Sequence, residues 1–359
     1  MVEVRTEGIT KVYGRKVALS DINIRVRHNT LACFLGPSGS GKTTLLRIIA
    51  GLIKPTRGRV FFDNMDVTNV PAWKRNVGFV PQNVALFPHL SVYENIAFGL
   101  RAKRVPREEM DSRIKAMLRL IKLEGYENRK PTELSGGEAQ RVAIARALVI
   151  NPSVLLFDEP LGHLDAKLRD ELKFEIRRIQ RETGTTGIYV THDQAEAFAI
   201  ADYIYVINDG RIEQEGAPHE LYENPQSPFI ADFIGSVNFL RGIIADFSPD
   251  SMHAKIRSRN LEIIAKIPEK IAPGKEVLVG IRPEHIKVML KPPLVTQEKI
   301  YNGIVTRKVF LGPSLILEIE TGGHMLKAVL YGDEKYKFLD VNIGTEIYFT
   351  LDRAFVFTR

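Results

Sequence analysis

The 359-residue chain reads as an α/β domain over residues 1–235 followed by an all-β, OB-type barrel over residues 236–359. Three observations carry this reading. Up to about residue 235, short apolar runs alternate with helical stretches, the pattern of a sheet flanked by helices. Beyond it, short alternating stretches are divided by Gly and Pro turns at Gly274-Lys275, Lys291-Pro292-Pro293, Leu311-Gly312-Pro313, Thr321-Gly322-Gly323 and Ile343-Gly344, as in a small barrel. Thirdly, a glycine-rich run, Gly36-Pro37-Ser38-Gly39-Ser40-Gly41-Lys42-Thr43-Thr44, sits between an apolar stretch and a helical one.

The elements follow in order. Residues 2–10 and 21–27 alternate polar and apolar side chains, as half-buried strands do. Tyr13 lies between them beside Gly14 and, on local grounds alone, is an ordinary turn aromatic. Leu31-Ala32-Cys33-Phe34-Leu35 has the continuous apolar character of a buried strand, and Thr44 to Ala50 is an amphipathic helix stopped by Gly51. Val60–Phe62 and Val77–Val80 are further strands, the second ending in Pro81-Gln82. Ser91 with Glu94 three residues on is a capping box opening a helix to Arg104. A second helix, Arg107–Lys122, follows Pro106. With no strand between them, the two belong to a helical subdomain over about residues 84–150. Ser135 resembles a helix N-cap, so Gly136 and Gly137 expose backbone N–H groups at the start of a helix running to Ile150. Val154–Phe157 is an apolar strand that runs into Asp158-Glu159. Asp165 opens a long charged helix to Thr183. Gly187–Val190 is a strand ending at His192, and Tyr203–Ile207 pairs with Arg211–Glu215 around Asn208-Asp209-Gly210.

Composition excludes several classes. The formal charge is +7, from 50 Lys and Arg against 43 Asp and Glu, and these residues are scattered rather than gathered in a stripe. A nucleic-acid partner is therefore not expected. Cys33 is the only cysteine, which rules out an intrachain disulfide or a cysteine-rich zinc site. The first residues lack a signal-peptide core, and no run of 18 apolar residues is present, so the expectation is a cytoplasmic chain.

The glycine-rich run fits G-x-x-x-x-G-K-[ST], the phosphate-binding loop. Its glycines allow backbone N–H groups to close around a polyphosphate. Lys42 supplies a charge for the β- and γ-phosphates, and the Thr43 hydroxyl can ligate Mg²⁺. Two acids, Asp158 and Glu159, at the end of an apolar strand are costly unless they serve something; a Mg²⁺ ligand followed by a water-activating base is such a use.

Together these residues resemble the ATP-binding subunit of an ABC transporter over residues 1 to about 235. Six motifs occur in the family's order: phosphate loop (Gly36–Thr44), Q-loop (Gln82), signature (Leu134–Gln140), Walker B (Val154–Glu159), D-loop (Leu161–Asp165) and H-loop (His192). The tail, with Gly280-Ile281-Arg282-Pro283-Glu284-His285, resembles the OB-type (TOBE) domain of the carbohydrate-importer branch. The resemblance implies ATP and Mg²⁺ as ligands. It places Tyr13 on adenine; Gly36, Pro37, Ser38, Gly39, Ser40, Gly41, Lys42, Thr43 and Thr44 on the phosphates; and Thr43, Gln82 and Asp158 on Mg²⁺. Glu159 would be the general base, with His192, Gln82 and Lys42 completing the catalytic set. Ser135, Gly136 and Gly137 would bind the γ-phosphate held by the opposite subunit. The implied partners are a second copy or close paralogue, two transmembrane permease subunits at the cytoplasmic face of the membrane and, indirectly, an extracytoplasmic solute-binding protein.

Two positions depart from the family pattern: Glu138 stands where Gln is commoner, and Gly162 where the D-loop usually has Ser. A nucleic-acid-associated ABC ATPase would carry long coiled-coil insertions, zinc cysteines or two cassettes, and a non-hydrolysing module would lack Glu159 or His192. The expected cargo is a sugar, with iron, sulfate, molybdate and polyamine systems as the alternatives. In the tail, the basic residues Arg257, Arg259, Lys270 and Lys287 are spread over several strands without aromatic stacking platforms, so a regulatory and dimerisation role is expected there.

Overall fold

The computed structural model describes residues 2–248, 253–267, 271–293 and 299–358; Lys270 lies outside them. The chain separates into two compact units, Met1–His219 and Glu220–Arg359. The second therefore begins before the change of sequence character at 236.

The first unit opens with β1 (Val4–Tyr13) and β2 (Lys16–Val26), which are antiparallel; β1 buries Val4, Thr6 and Ile9, and β2 buries Leu19, Ile22, Ile24 and Val26, the alternation shifting where the register does. β3 (Leu31–Leu35) is buried at every position and leads through the glycine-rich loop into α1 (Lys42–Ala50), which ends at Gly51 in the left-handed conformation. β4 (Arg57–Phe62) and the short β5 (Met65–Asp66) complete a sheet of order β2-β1-β4-β5. Then come β6 (Val77–Val80), the helices α2 (Val92–Ala102), α3 (Arg107–Leu120) and α4 (Gly136–Leu148), β7 (Val154–Asp158), α5 (Ala166–Thr183), β8 (Thr186–Thr191), α6 (Gln194–Ile200), β9 (Tyr203–Asn208) and β10 (Arg211–Gly216). A second sheet runs β10-β9-β3-β8-β7-β6 and is parallel except for the β9–β10 hairpin. β3, β7 and β8 are buried throughout, as strands covered on both faces must be, which is why they read as unbroken apolar runs.

Local chemistry sets the helix starts. Ser91 and Ser135 form complete capping boxes with Glu94 and Glu138, and the Asp165 and Asp193 side chains accept from the N–H of Leu168 and Glu196. Each cap contributes about 1 kcal/mol. α1 is different: its N-cap is Gly41, which offers no side-chain acceptor, and no acid lies in its first turn. The other end of α1 is held by Arg75, whose buried guanidinium donates to Ile48 O (2.9 Å), Ile49 O (2.8 Å), Val70 O (2.7 Å) and Thr68 O (3.0 Å). Burial pushes its pKa down to about 10. α2 packs on α3 and α4. The fully buried Asn95 of α2 pins the preceding turn by accepting from Phe87 N (2.8 Å) and donating to Phe87 O and Leu90 O (both 3.2 Å) and to Ser91 O (3.0 Å).

α7 (Pro218–Glu223) spans the division between the units, and α8 (Pro228–Ile234) follows in the second. That unit continues with β11 (Asn238–Ser248), β12 (His253–Ser258), β13 (Leu261–Lys266), β14 (Glu276–Ile281), β15 (Ile286–Met289), β16 (Tyr301–Phe310), β17 (Ser314–Thr321), β18 (His324–Tyr331), β19 (Glu346–Leu351) and β20 (Phe355–Thr358). These form two antiparallel five-stranded sheets, β13-β12-β11-β14-β20 and β15-β19-β16-β17-β18. Both contribute to one apolar core that includes Leu240, Ile256, Val279, Leu317, Leu326 and Phe349, giving the expected barrel-like all-β domain. Asn238 ties the sheets together: its amide donates to Ile281 O (3.2 Å) and Lys327 O (2.9 Å) and accepts from Lys327 N (2.7 Å).

Arg282 is the largest fully buried side chain of this unit. It donates to Ala231 O (2.7 Å), Gly235 O (2.8 Å), Ser236 O (3.3 Å) and Tyr222 O (3.2 Å). Its guanidinium also lies 4.2 Å from the centroid of the Tyr222 ring. It thereby stitches α7 and the end of α8 to the strands. The sequence does not announce the short helices α6, α7 and α8, because six or seven residues are too few to display a helical period.

Candidate functional site: the C-terminal edge of the parallel sheet

The loop from β3 to α1 is drawn so close to the body of the unit that side chains would collide. A Cβ at Gly36 would stand 2.0 Å from Ile207 O, and one at Gly41, where φ is 105°, would stand 2.6 Å from Ala18 O. Lys42 is almost fully buried and bends back over the loop, donating to Gly36 O and Pro37 O at 2.8 Å each and to Ser40 Oγ at 3.4 Å. Burial lowers its pKa, and the nearby Glu159 and Asp158 charges oppose that shift. A cation inside a glycine-rich loop at an uncapped helix start suits a polyphosphate.

β7 and β8 bring the acids to the same place, since Asp158 pairs with Val190. Thr43 Oγ1 donates to Asp158 Oδ1 (2.7 Å), and Arg47 Nη2 lies 3.7 Å from Asp158 Oδ2. Among the described residues, no group of three or more His, Cys, Asp or Glu side chains is disposed to hold a metal. One hydroxyl and one carboxylate nevertheless suit Mg²⁺, a hard cation that takes its remaining oxygens from phosphate and water.

Glu159 has a φ of 45°, a conformation that costs a residue with a Cβ about 1–2 kcal/mol. Its N–H donates to Val190 O (3.1 Å), and its Oε2 meets His192 Nδ1 at 3.2 Å. A carboxylate only accepts, so His192 Nδ1 is the donor. Gln82 is exposed two residues past β6, whose Val80 pairs with Phe157 of β7, so it leaves the sheet at the same edge. Tyr13 ends β1 and is half-exposed, with the Lys11 ammonium 4.9 Å from its ring centroid.

The signature residues stand elsewhere in the unit. Ser135 caps α4, and its N–H is taken by Glu138 Oε2 (2.7 Å), while Tyr126 OH donates to Glu138 Oε1 (3.0 Å). Glu138 therefore fills the N3 place of a capping box. A Cβ on Gly136 would lie 3.1 Å from Leu164 Cδ2, and one on Gly137 2.8 Å from Leu168 Cδ1. The two glycines thus also serve the close approach of α4 to the start of α5, a role beyond exposing N–H groups. Gly162, by contrast, has room: a Cβ there would meet only Glu159 O at 3.6 Å and Glu159 Oε2 at 4.0 Å.

The structure thus joins Lys42, Thr43, Asp158, Glu159 and His192 into one site, with Gln82 at its edge. Sequence reasoning missed Arg47 and Glu196. The Glu196 carboxylate is buried and accepts from Tyr189 OH (3.0 Å) and Thr191 Oγ1 (2.8 Å), bracing the turn that carries His192. Its one local signal was its place three residues after Asp193.

A phosphate loop, an acid pair and a histidine at one sheet edge define a nucleoside-triphosphatase cassette. The chain belongs to the ABC transporter ATP-binding family and is an ATPase. The family description "ABC transporter" matches residues 19–162, and "TOBE domain" matches 279–357. The chain is similar to the spermidine/putrescine import ATP-binding protein PotA of Acidothermus cellulolyticus, at 46% identity over 308 residues, covering 85% of this chain and 80% of the relative. With PotA of Clostridioides difficile it shares 41% over 350 residues, covering 97% and 96%. Among solved structures, it resembles a dimeric bacterial ABC transporter cassette at 35% identity and a TM-score of 0.54, covering 60% of this chain and 98% of that one. It also resembles cbiO1 of Clostridium perfringens at 31% identity and a TM-score of 0.56, covering 61% and 89%. The expectation of a sugar cargo finds no support in these relatives, which carry the name of the polyamine alternative. The tail's turn pattern could not separate the two because it describes a barrel, not a cargo. Among the described residues, no helix is long and apolar enough to cross a membrane.

Proposed function

We propose that this chain is the ATP-hydrolysing subunit of a polyamine importer, bound at the cytoplasmic face of the membrane to two permease subunits that are served by an extracytoplasmic binding protein. The cargo assignment is supported by the likeness to spermidine/putrescine import proteins, which runs through both units and covers 97% of the chain. The catalytic assignment rests on one observation, the Glu159–His192 pair beside Asp158.

In this mechanism Tyr13 stacks on the adenine. Lys42 exchanges its loop carbonyls for β- and γ-phosphate oxygens, while the N–H groups of Gly36 and of residues 38–44, the last of these at the start of α1, complete the cradle. Thr43, Asp158 and Gln82 would hold Mg²⁺, which neutralises phosphate charge when bound. Glu159 takes the proton of the attacking water. His192 holds the Glu159 carboxylate through Nδ1, so its Nε2 donates to a phosphate oxygen only when the ring carries both protons. Ser135, Gly136 and Gly137 of a second copy or a close paralogue close over the γ-phosphate with their helix-start N–H groups. The TOBE-type unit acts as a regulatory and dimerisation domain.

The cargo is tested in the source cell. Deleting the gene should cut uptake of labelled spermidine or putrescine at least tenfold, and the intact gene should restore it. Unchanged polyamine uptake, with loss of sugar uptake instead, overturns the assignment.

A further inference from the structure

We propose that Arg169 is a positioning residue that holds the D-loop and the His192 turn in one register. The inference deepens the reading above, in which His192 and Glu159 act on the γ-phosphate.

Arg169 sits in the opening turns of α5, whose first turn contains no acid. A cation near a helix N-terminus opposes the helix dipole, so the helix itself gains nothing from it. Its contacts lie elsewhere. Nη2 donates to Leu164 O (2.9 Å), in the D-loop. Nη1 lies 3.5 Å from Asp193 Oδ2, and Nε lies 3.8 Å from Glu196 Oε1. Asp193 follows His192, caps α6 by accepting from Glu196 N (3.1 Å), and is itself held by its N–H on Thr191 Oγ1 (2.9 Å). Thr191 Oγ1 also donates to the buried Glu196. The residues on both sides of His192 are therefore locked to one carboxylate cluster, and one guanidinium joins that cluster to the loop beside the signature glycines.

Geometry assigns the task to arginine. A planar fork spreads its donors over three nitrogens and so reaches a carbonyl and two carboxylates on different segments, whereas the donors of a lysine ammonium radiate from a single atom. This clamp thus fastens Leu164 O to the 191–196 segment through one side chain. A shift of the D-loop on closure over ATP is then passed directly to the turn that carries His192.

The test is a double-mutant cycle on the full chain, using Arg169→Lys and Asp193→Asn. Asparagine caps a helix as well as aspartate, so Asp193→Asn removes the charge facing Arg169 while keeping α6 capped. Arg169→Lys should lower kcat on the order of tenfold, leave the ATP dissociation constant within about twofold, and reduce the cooperativity of hydrolysis with ATP concentration. Asp193→Asn should do the same more mildly. The double variant should be no slower than Arg169→Lys alone, because both changes break one link. A merely structural role would instead lower the melting temperature and leave cooperativity intact, whereas multiplicative losses would show that the two residues act independently. Unchanged kcat in Arg169→Lys, or multiplicative losses in the double variant, overturns the proposal. The cycle reads the link between residues 169 and 193 whichever group accepts the proton, so its failure is distinct from failure of the Glu159 assignment.

Discussion

Glu159→Gln is expected to bind ATP with near wild-type affinity and to hydrolyse it at least on the order of a hundredfold more slowly, the scale of a lost general base. Glutamine preserves the shape of the side chain, and its amide oxygen still accepts from His192 Nδ1, so the turn at 191–193 keeps its place. The left-handed backbone at residue 159 is equally unaffected, because both side chains bear the same Cβ. Basicity alone is removed. The variant should therefore accumulate as an ATP-bound dimer, visible as an earlier gel-filtration peak that appears only with nucleotide. Near-normal steady-state turnover would remove Glu159 from the proposed role.

The second large effect concerns folding rather than chemistry. Arg282→Met keeps an apolar stem of similar length but withdraws the guanidinium from four carbonyls, those of Ala231, Gly235, Ser236 and Tyr222. Buried acceptors left unpaired, together with the lost ring contact, should cost about 3–5 kcal/mol. For a unit of this size that lowers the melting temperature on the order of 10 °C. Arg282→Lys should recover only part, since one ammonium reaches fewer carbonyls than a fork does. A calorimetric midpoint unchanged within a degree in Arg282→Met would show that the cage is not structural.

The two arginine cages show what was legible in the sequence and what was not. Capping boxes are local, so Ser91 with Glu94 and Ser135 with Glu138 could be read three residues apart. The buried strands announced themselves by unbroken apolar runs, and the phosphate loop by glycines that the structure requires at Gly36 and Gly41. Asp158, Glu159 and His192 could be placed because parallel strands end at one edge. Arg75 and Arg282 could not, because their partners are backbone carbonyls up to 27 and 60 residues away, and a carbonyl has no sequence identity. Arg169 was hidden by separation along the chain: the two carboxylates beside it, Asp193 and Glu196, lie beyond the rest of α5 and β8. The proposed cargo was hidden more deeply still, because the motifs read from the sequence describe nucleotide chemistry alone.

The Arg282 cage also bears on inheritance. A piece of protein can pass intact from one gene to another only if its internal fastenings travel with it. A crossover at residue 235, where the composition changes, would part the guanidinium from Tyr222 and Ala231 and leave each parent with half of a seal. A crossover at residue 219 would carry both halves together, so the exchangeable tail is longer than its barrel and includes α8 and the greater part of α7.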